Sequence, residues 1–403
     1  MTKAKNILLI IGNGFDLSCY LKSSYSDFYK ACVKDKYKLH NTIKVADLQN
    51  FWQHVLAAYA AEHGKKNYEW CDIENIIKDT ISKIVVENDD IFIAKHAYSR
   101  MVEATRGFEY TDFKPANEIA KTIFDMMTMF FESECKKEQP PLLRIRDFDQ
   151  NHINKVTKNL FGWLMNLEKQ FCKYLKQQVN NDYTQKALDN IFVVLGLGGY
   201  YNNIVKNINR ETAFNKVQEH LENTSIISFN YTRSPFLNKI YNVIKYTNVH
   251  GNLCDNDCKK CKGTNAIFGI DDTVTHDSNN KDLKIFSKTY RTLQLDQNSQ
   301  QILPHKDEIV TIKFFGHSLS KADYSYFQSI FDYYNIYDND KVSLEFLYTD
   351  YKNDARLESI DRVYSLVNDY GATLTARGSA QGKNLIHKLR LENRITVKDI
   401  DLS

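Results

Sequence analysis

The sequence predicts an α/β protein with a parallel sheet and a large, mostly helical insertion. Three observations carry this. A short apolar run, Asn6-Ile-Leu-Leu-Ile-Ile11, leads straight into the turn Gly12-Asn13-Gly14. The other strand-like segments cluster late, and between residues 41 and 220 apolar residues recur at three- and four-residue intervals. A lone first strand is not stable without the strands after residue 220. Residues 1–40 and 221–403 are therefore read as one nucleotide-binding α/β domain, and 41–220 as an inserted helical subdomain.

Taken in order, the first strand is β-branched, short and apolar, as a buried parallel strand should be. A glycine turn directly after such a strand is how α/β proteins present backbone N–H groups to a nucleotide phosphate. The full dinucleotide fingerprint is incomplete, because Leu17 stands where its third glycine would be. An ordinary tight strand-to-helix turn is the competing reading. Helical periodicity follows over residues 47–59, 74–85, 116–127 and 159–171, with Pro140-Pro141 as the clearest break. Strands are expected at Ser225–Phe229, Tyr246–Val249, Ile309–Phe315 and Val342–Tyr348, and exposed loops near 255–265 and 272–283.

With 403 residues, 43% hydrophobic and 26% charged, the chain reads as soluble and large enough for a substantial core. Only 5 prolines and 15 glycines favour a high helix content. The net charge of +3 balances 53 basic against 50 acidic residues, so nucleic acid is not indicated as a partner. No stretch has the layout of a signal peptide, and none approaches the roughly 20 apolar residues of a membrane span. A cytoplasmic location, no membrane partner and reduced cysteines are expected.

Each expected strand ends in polar or glycine residues on its C-terminal side. These are Gly12-Asn13-Gly14-Phe15-Asp16, Asn230-Tyr231-Thr232, His250-Gly251, Gly316-His317-Ser318 with Asp323 beyond, and Thr349-Asp350. In an open parallel sheet these ends share one edge, where ligands bind. Every one has a structural alternative. His250 suits a core histidine, Asn230 a cap for a helix near Ser234-Pro235, Ser320 and Asp323 the cap and first turn of another, and Asp16 a third cap.

As a set the motifs resemble the bacterial abortive-infection AbiH family. They are Ile10–Leu17, Leu21-Lys-Ser-Ser-Tyr25-Ser-Asp-Phe28, Ser228–Thr232, Val249-His-Gly251, Phe268-Gly-Ile270 and Phe315–Tyr324. Trp70-Cys-Asp-Ile-Glu74 looks like a further element of it. That family in turn looks remotely sirtuin-like, which implies a Rossmann-type sheet and a relation to antiphage enzymes that destroy NAD. On this resemblance Gly12, Asn13, Gly14, Phe15 and Asp16 stand at the phosphate loop, and Asn230 and His250 at the catalytic positions. Gly316, His317 and Ser318 stand at the loop that holds the adenosine ribose, and Tyr25 and Asp323 join the nucleotide-binding set. Asn13 replaces the usual alanine, Thr232 stands where the group often has Asp, and the arginine after the sirtuin loop has no counterpart. These departures argue against a deacetylase.

The implied activity is antiphage NAD hydrolysis, with NAD as substrate, that depletes the cofactor on infection. Cleaving the nicotinamide–ribose bond develops positive charge on the ribose, as in glycoside hydrolysis. Asn230 would orient the ribose or a water, and His250 would be the general base. Two other readings stand beside it: a non-catalytic nucleotide-binding sensor or toxin scaffold acting through the helical insertion, and an enzyme acting on a different nucleotide or nucleic acid. A phage-encoded trigger or partner is implied, and a homo-oligomer is left open.

Cys254-x3-Cys258-x2-Cys261 has spacings that suit structural zinc, and in sirtuins a zinc ribbon follows His-Gly. A fourth cysteine is missing, so Asp255, Asp257 or His276 would complete the set. The alternative is an exposed lysine-rich loop with free thiols. Cys19, Cys32, Cys71, Cys135 and Cys172 are read as buried apolar fillers. Trp70, Asp72 and Glu74 suit either a lid over the crevice or an acidic first turn.

Overall fold

In a computed structural model of the chain, residues 6–31, 150–208, 223–232, 245–253, 266–270, 281–294, 301–350, 354–378 and 380–402 are described, with a few single positions between. The expected first strand forms over Asn6–Ile11 (β1) and lies in the middle of a six-stranded sheet. The others are Thr224–Ser228 (β2), Lys245–Asn248 (β3), Val310–Phe315 (β4), Val342–Tyr348 (β5) and Ile395–Asp399 (β6). Their order is β3-β2-β1-β4-β5-β6, and every neighbouring pair is parallel. This is the doubly wound Rossmann order, in which the direction of strand addition reverses at β1.

Alternation along β1 splits the core in two. Leu9 and Ile11 join one apolar cluster, and Leu8 and Ile10 join the other. Register then sets the functional edge. Ile11 pairs with both Ser228 and Phe315, and Ser228 pairs with Asn248. Gly12, Phe229, Val249 and Gly316 therefore leave the sheet at one level.

The described helices are Asn13–Ser18 (α1), Tyr25–Tyr29 (α2), Gln150–Gln178 (α3), Asn181–Leu195 (α4), Gly198–Asn207 (α5), Lys288–Thr292 (α6), Tyr324–Tyr334 (α7), Ala355–Ala376 (α8) and Leu385–Leu391 (α9). The N-cap Asn180 accepts a hydrogen bond from Tyr183 N–H, and α4 ends at Gly196 in the left-handed conformation, φ 87°. Capping thus sets both limits of α4 and the position of Tyr183 in its first turn.

The chain divides into two compact units. The first holds residues 1–23, 175–255 and 296–403, and the second 24–174 and 256–295. The expected boundaries lay at 40 and 220. They differ because α4 and α5 bury Ile191, Phe192, Leu195 and Tyr201 in the cluster that contains Leu9 and Ile11. Residues 181–207 therefore belong with the sheet.

The second unit is held by its own polar and aromatic contacts. Arg291 makes a bidentate pair with Glu168, with N–O distances of 2.5 and 2.8 Å, and both are buried. Phe268 donates its N–H to Glu168 and its carbonyl accepts from Arg291. The Phe268-Gly-Ile270 motif thus closes a buried ion pair. Glu74 pairs with the buried Lys288, so this carboxylate has a structural partner within its own unit. Trp70, Asp72, the helices expected at 116–127 and near Ser234, and most of those at 47–59 and 74–85 lie outside the described residues.

Candidate functional site

The glycine turn and the Gly316 loop meet at the point where strand order reverses. Gly14 N–H donates to Gly316 O at 2.7 Å, and Gly12 N–H donates to Phe315 O at 3.1 Å. A Cβ on Gly14 would stand 2.7 Å from Gly316 Cα, and one on Gly12 would stand 2.7 Å from His317 Cα. Gly316 itself has φ +69°, which favours glycine. The glycines therefore permit backbone-to-backbone approach of two loops.

The N–H groups of Gly12, Gly14 and Phe15 are all bonded within the chain, Phe15 to Gly12 O at 2.9 Å. The helix that follows, α1, has only 6 residues. Asn13 accepts a hydrogen bond from Ser23 Oγ at 2.7 Å.

Asp16 lies one turn further on, and its side chain is the centre of a buried network. Tyr183 Oη donates to Asp16 Oδ1 at 2.8 Å, and Thr232 Oγ1 donates to Asp16 Oδ2. Among the described residues Asp16 forms no ion pair. Burial raises its carboxyl from 3.8 to about 6, against the opposing pull of the Thr232 and Tyr183 hydroxyls and of the nearby Asn230 amide. Cys19 nearby is pushed up to about 12 by burial and by the Asp16 charge.

Asn230 completes this group. Its residue is 4% exposed, yet among the described residues neither Nδ2 nor Oδ1 has a hydrogen-bond partner of normal geometry. Its amide stands close enough to Asp16 to favour the carboxylate without closing on it. Its backbone is fixed on both sides, with N–H to Ser228 Oγ at 3.2 Å and C=O accepting from Asn248 Nδ2 at 2.7 Å. Asp16, Asn230, Tyr183, Thr232, Ser228 and Tyr246 line a cavity of about 10 Å³ together with Ile11, Phe15, Ile191 and Ile226. That is room for one water.

His250 belongs to a second group. Its Nε2 lies 3.2 Å from Asp323 Oδ1, and His317 Nε2 lies 3.3 Å from Asp323 Oδ2. His317 Nδ1 accepts from Leu319 N–H at 2.9 Å, so its Nε2 carries the proton and faces Asp323. Leu319 adopts φ 56° to make this bond, a left-handed conformation that costs a non-glycine residue about 1 kcal/mol. Phe229 stands edge-on to both rings, with centroids 5.3 Å from His250 and 4.4 Å from His317.

The expected site residues thus fall into two sets. Asp16 and Asn230 gather on the cavity with Tyr183 and Thr232, whereas His250, His317 and Asp323 gather on Phe229. Ser320 caps a short turn without a side-chain hydrogen bond, and Asp323 faces the histidines instead of capping α7. Ser318 is exposed. Tyr25 lies buried in the second unit, its ring 5.7 Å from Phe28 and 6.5 Å from Tyr29. Cys254, Cys258 and Cys261 lie outside the described residues; among those described, no three His, Cys, Asp or Glu side chains are placed to hold a metal. No helix among the described residues is long and apolar enough to cross a membrane.

Fold and site together define an α/β protein of Rossmann strand order with buried polar groups at its carboxyl edge. The chain matches the model for Bacteriophage abortive infection AbiH over residues 8–345, and it belongs to that family. It is accordingly an antiphage abortive-infection protein. No curated protein and no solved structure matches it significantly.

Proposed function

We propose that the chain stops phage growth by cleaving the nicotinamide–ribose bond of NAD at the carboxyl edge of the sheet. The observation that carries this is Asn230. Leaving a buried amide without a hydrogen bond costs about 1–3 kcal/mol, so its retention beside a buried carboxyl points to a ligand or a reacting group. The sirtuin-like resemblance of the Asn230 and His250 motifs supplies the bond to be broken. Asp16 supplies negative charge near the place where the ribose would become cationic, in surroundings that strengthen that interaction.

The closed loops fit this role. A constitutive NAD hydrolase would kill its host, and the Gly14–Gly316 hydrogen bond together with a cavity sized for water keeps a dinucleotide out. Substrate would enter after the two loops part in response to infection.

The test incubates purified protein with NAD, with and without extract of phage-infected cells, and follows nicotinamide and ADP-ribose. Release that depends on the trigger is expected, with loss in Asn230→Ala and His250→Ala. Absence of cleavage under every condition overturns the proposal. Tight NAD binding without turnover would instead establish the sensor reading.

A further inference from the structure

Two groups at this edge can accept a proton, His250 and Asp16, and their surroundings separate them. His250 Nε2 faces Asp323 at 3.2 Å, beside Phe229. Asp16 faces a cavity it shares with the Asn230 amide. We propose that this cavity holds one water, bound by Asn230 and Asp16, and that Asp16 takes its proton as that water attacks the ribose. The inference rests on the NAD-cleavage reading for the identity of the electrophile, and on the cavity alone for the water.

The volume of about 10 Å³ matches a single water, and polar cavities of that size hold one when two to four partners are present. Asn230 offers two N–H donors and a carbonyl acceptor, none used in a hydrogen bond of normal geometry. Each Asp16 oxygen receives one hydroxyl and keeps a lone pair. Ser228 adds a hydroxyl to the lining. Ile11, Phe15, Ile191 and Ile226 keep the rest apolar, which holds the water in one place.

The step balances without a further reactant. The water oxygen forms a bond to the ribose C1′, and the C1′–N bond breaks with its electron pair leaving on nicotinamide. One water proton passes to the Asp16 carboxylate and from there to solvent on product release. Tyr183 and Thr232 are positioning residues that fix the two carboxylate oxygens. The titratable groups facing Asp16 are Tyr183 from α4, Cys19 at the end of α1, and Tyr246 from β3 across the cavity. Burial holds the Tyr183 phenol and the Cys19 thiol protonated. With its own carboxyl raised to about 6, Asp16 is ionised at neutral pH and still basic enough to act.

The test has two arms on the full chain. A high-resolution crystal structure of the unliganded protein is expected to show one water within hydrogen-bonding distance of Asn230 and Asp16, lost in Asn230→Ala. A dry cavity overturns the proposal whether or not NAD is cleaved. In the second arm, Asp16→Asn is expected to lower kcat for NAD about 10²–10⁴-fold with KM little changed, and to abolish the acidic limb of the pH–rate profile. Activity and limb both retained would overturn the base while leaving NAD cleavage standing. No cleavage by the wild-type chain would fail the NAD reading, and with it the role of Asp16 as base, while the crystal arm still decides the water.

Discussion

Asp16 and Asp323 stand at the same sheet edge, 2% and 8% exposed, yet their surroundings differ in kind. Asp323 has an imidazole Nε2 on each oxygen. Asp16 has only neutral hydroxyls and a nearby amide, so desolvation outweighs its hydrogen bonds and its carboxyl rises to about 6. A buried carboxylate set between two imidazole nitrogens is a structural tie. One held by neutral groups beside an unbonded amide stays reactive, and the fold bears an electrostatic penalty to keep it.

The sharpest way to break this contrast is to remove each carboxyl and compare stabilities. Asp323→Ala takes the carboxylate from between two buried imidazoles, so a loss of about 1–3 kcal/mol is expected in chemical denaturation. A loss under about 1 kcal/mol would show that Asp323 is not the tie described.

Asp16→Asn should act in the opposite sense at neutral pH. A carboxyl raised from 3.8 to about 6 binds more protons folded than unfolded between those values. Its contribution is therefore fully present below about pH 4 and is lost as pH rises through about 6, a change of about 3 kcal/mol. The wild-type chain should lose this amount across that window relative to Asp16→Asn, measured by denaturation midpoints at several pH values. Parallel pH profiles for the two proteins would show that the Asp16 carboxyl titrates in the fold as it does in the unfolded chain, and that its surroundings do not raise it.

The legible and illegible parts of this arrangement have physical reasons. β1 is readable because a central strand buried on both faces is apolar throughout Ile7–Ile11, and β2 to β5 fall within a residue of expectation. β6 went unpredicted. Ile395-Thr-Val-Lys-Asp399 sits at the sheet margin, only Ile395 in it is fully buried, and its sequence carries little apolar signal. The glycine turn was legible but its crossing with Gly316 was not, because a phosphate cradle and a close loop crossing demand the same residue. Asp16 was singled out without a partner in view. Tyr183 gave no signal, since one tyrosine in the first turn of an amphipathic helix looks like any other core residue. Its meaning depends on α4 packing against α1, where Asn190 Nδ2 donates to Ser18 O. Thr232 was in plain sight beside Asn230, recorded as a departure where the related group often has Asp. The structure shows it donating to a carboxylate that comes from Asp16 instead.

The finest test asks whether Tyr183 acts on the Asp16 charge or merely fills space. Its phenol donates to Asp16 Oδ1 at 2.8 Å and so favours the ionised form. Tyr183→Phe keeps the ring and removes that donor, which should raise the Asp16 carboxyl further above its ordinary value. The sign follows from linkage: a higher folded value deepens the loss of stability once pH passes through it, and leaves the acid side unchanged. Tyr183→Phe should therefore cost about 1 kcal/mol near pH 7.5 and distinctly less near pH 4.5, where Asp16 is protonated. The acidic limb of any Asp16-dependent rate should move to higher pH in the same variant. An equal cost at both pH values, with the limb unmoved, would mean that the ring packs against Ile191 and Phe192 and the hydroxyl does nothing for the carboxylate.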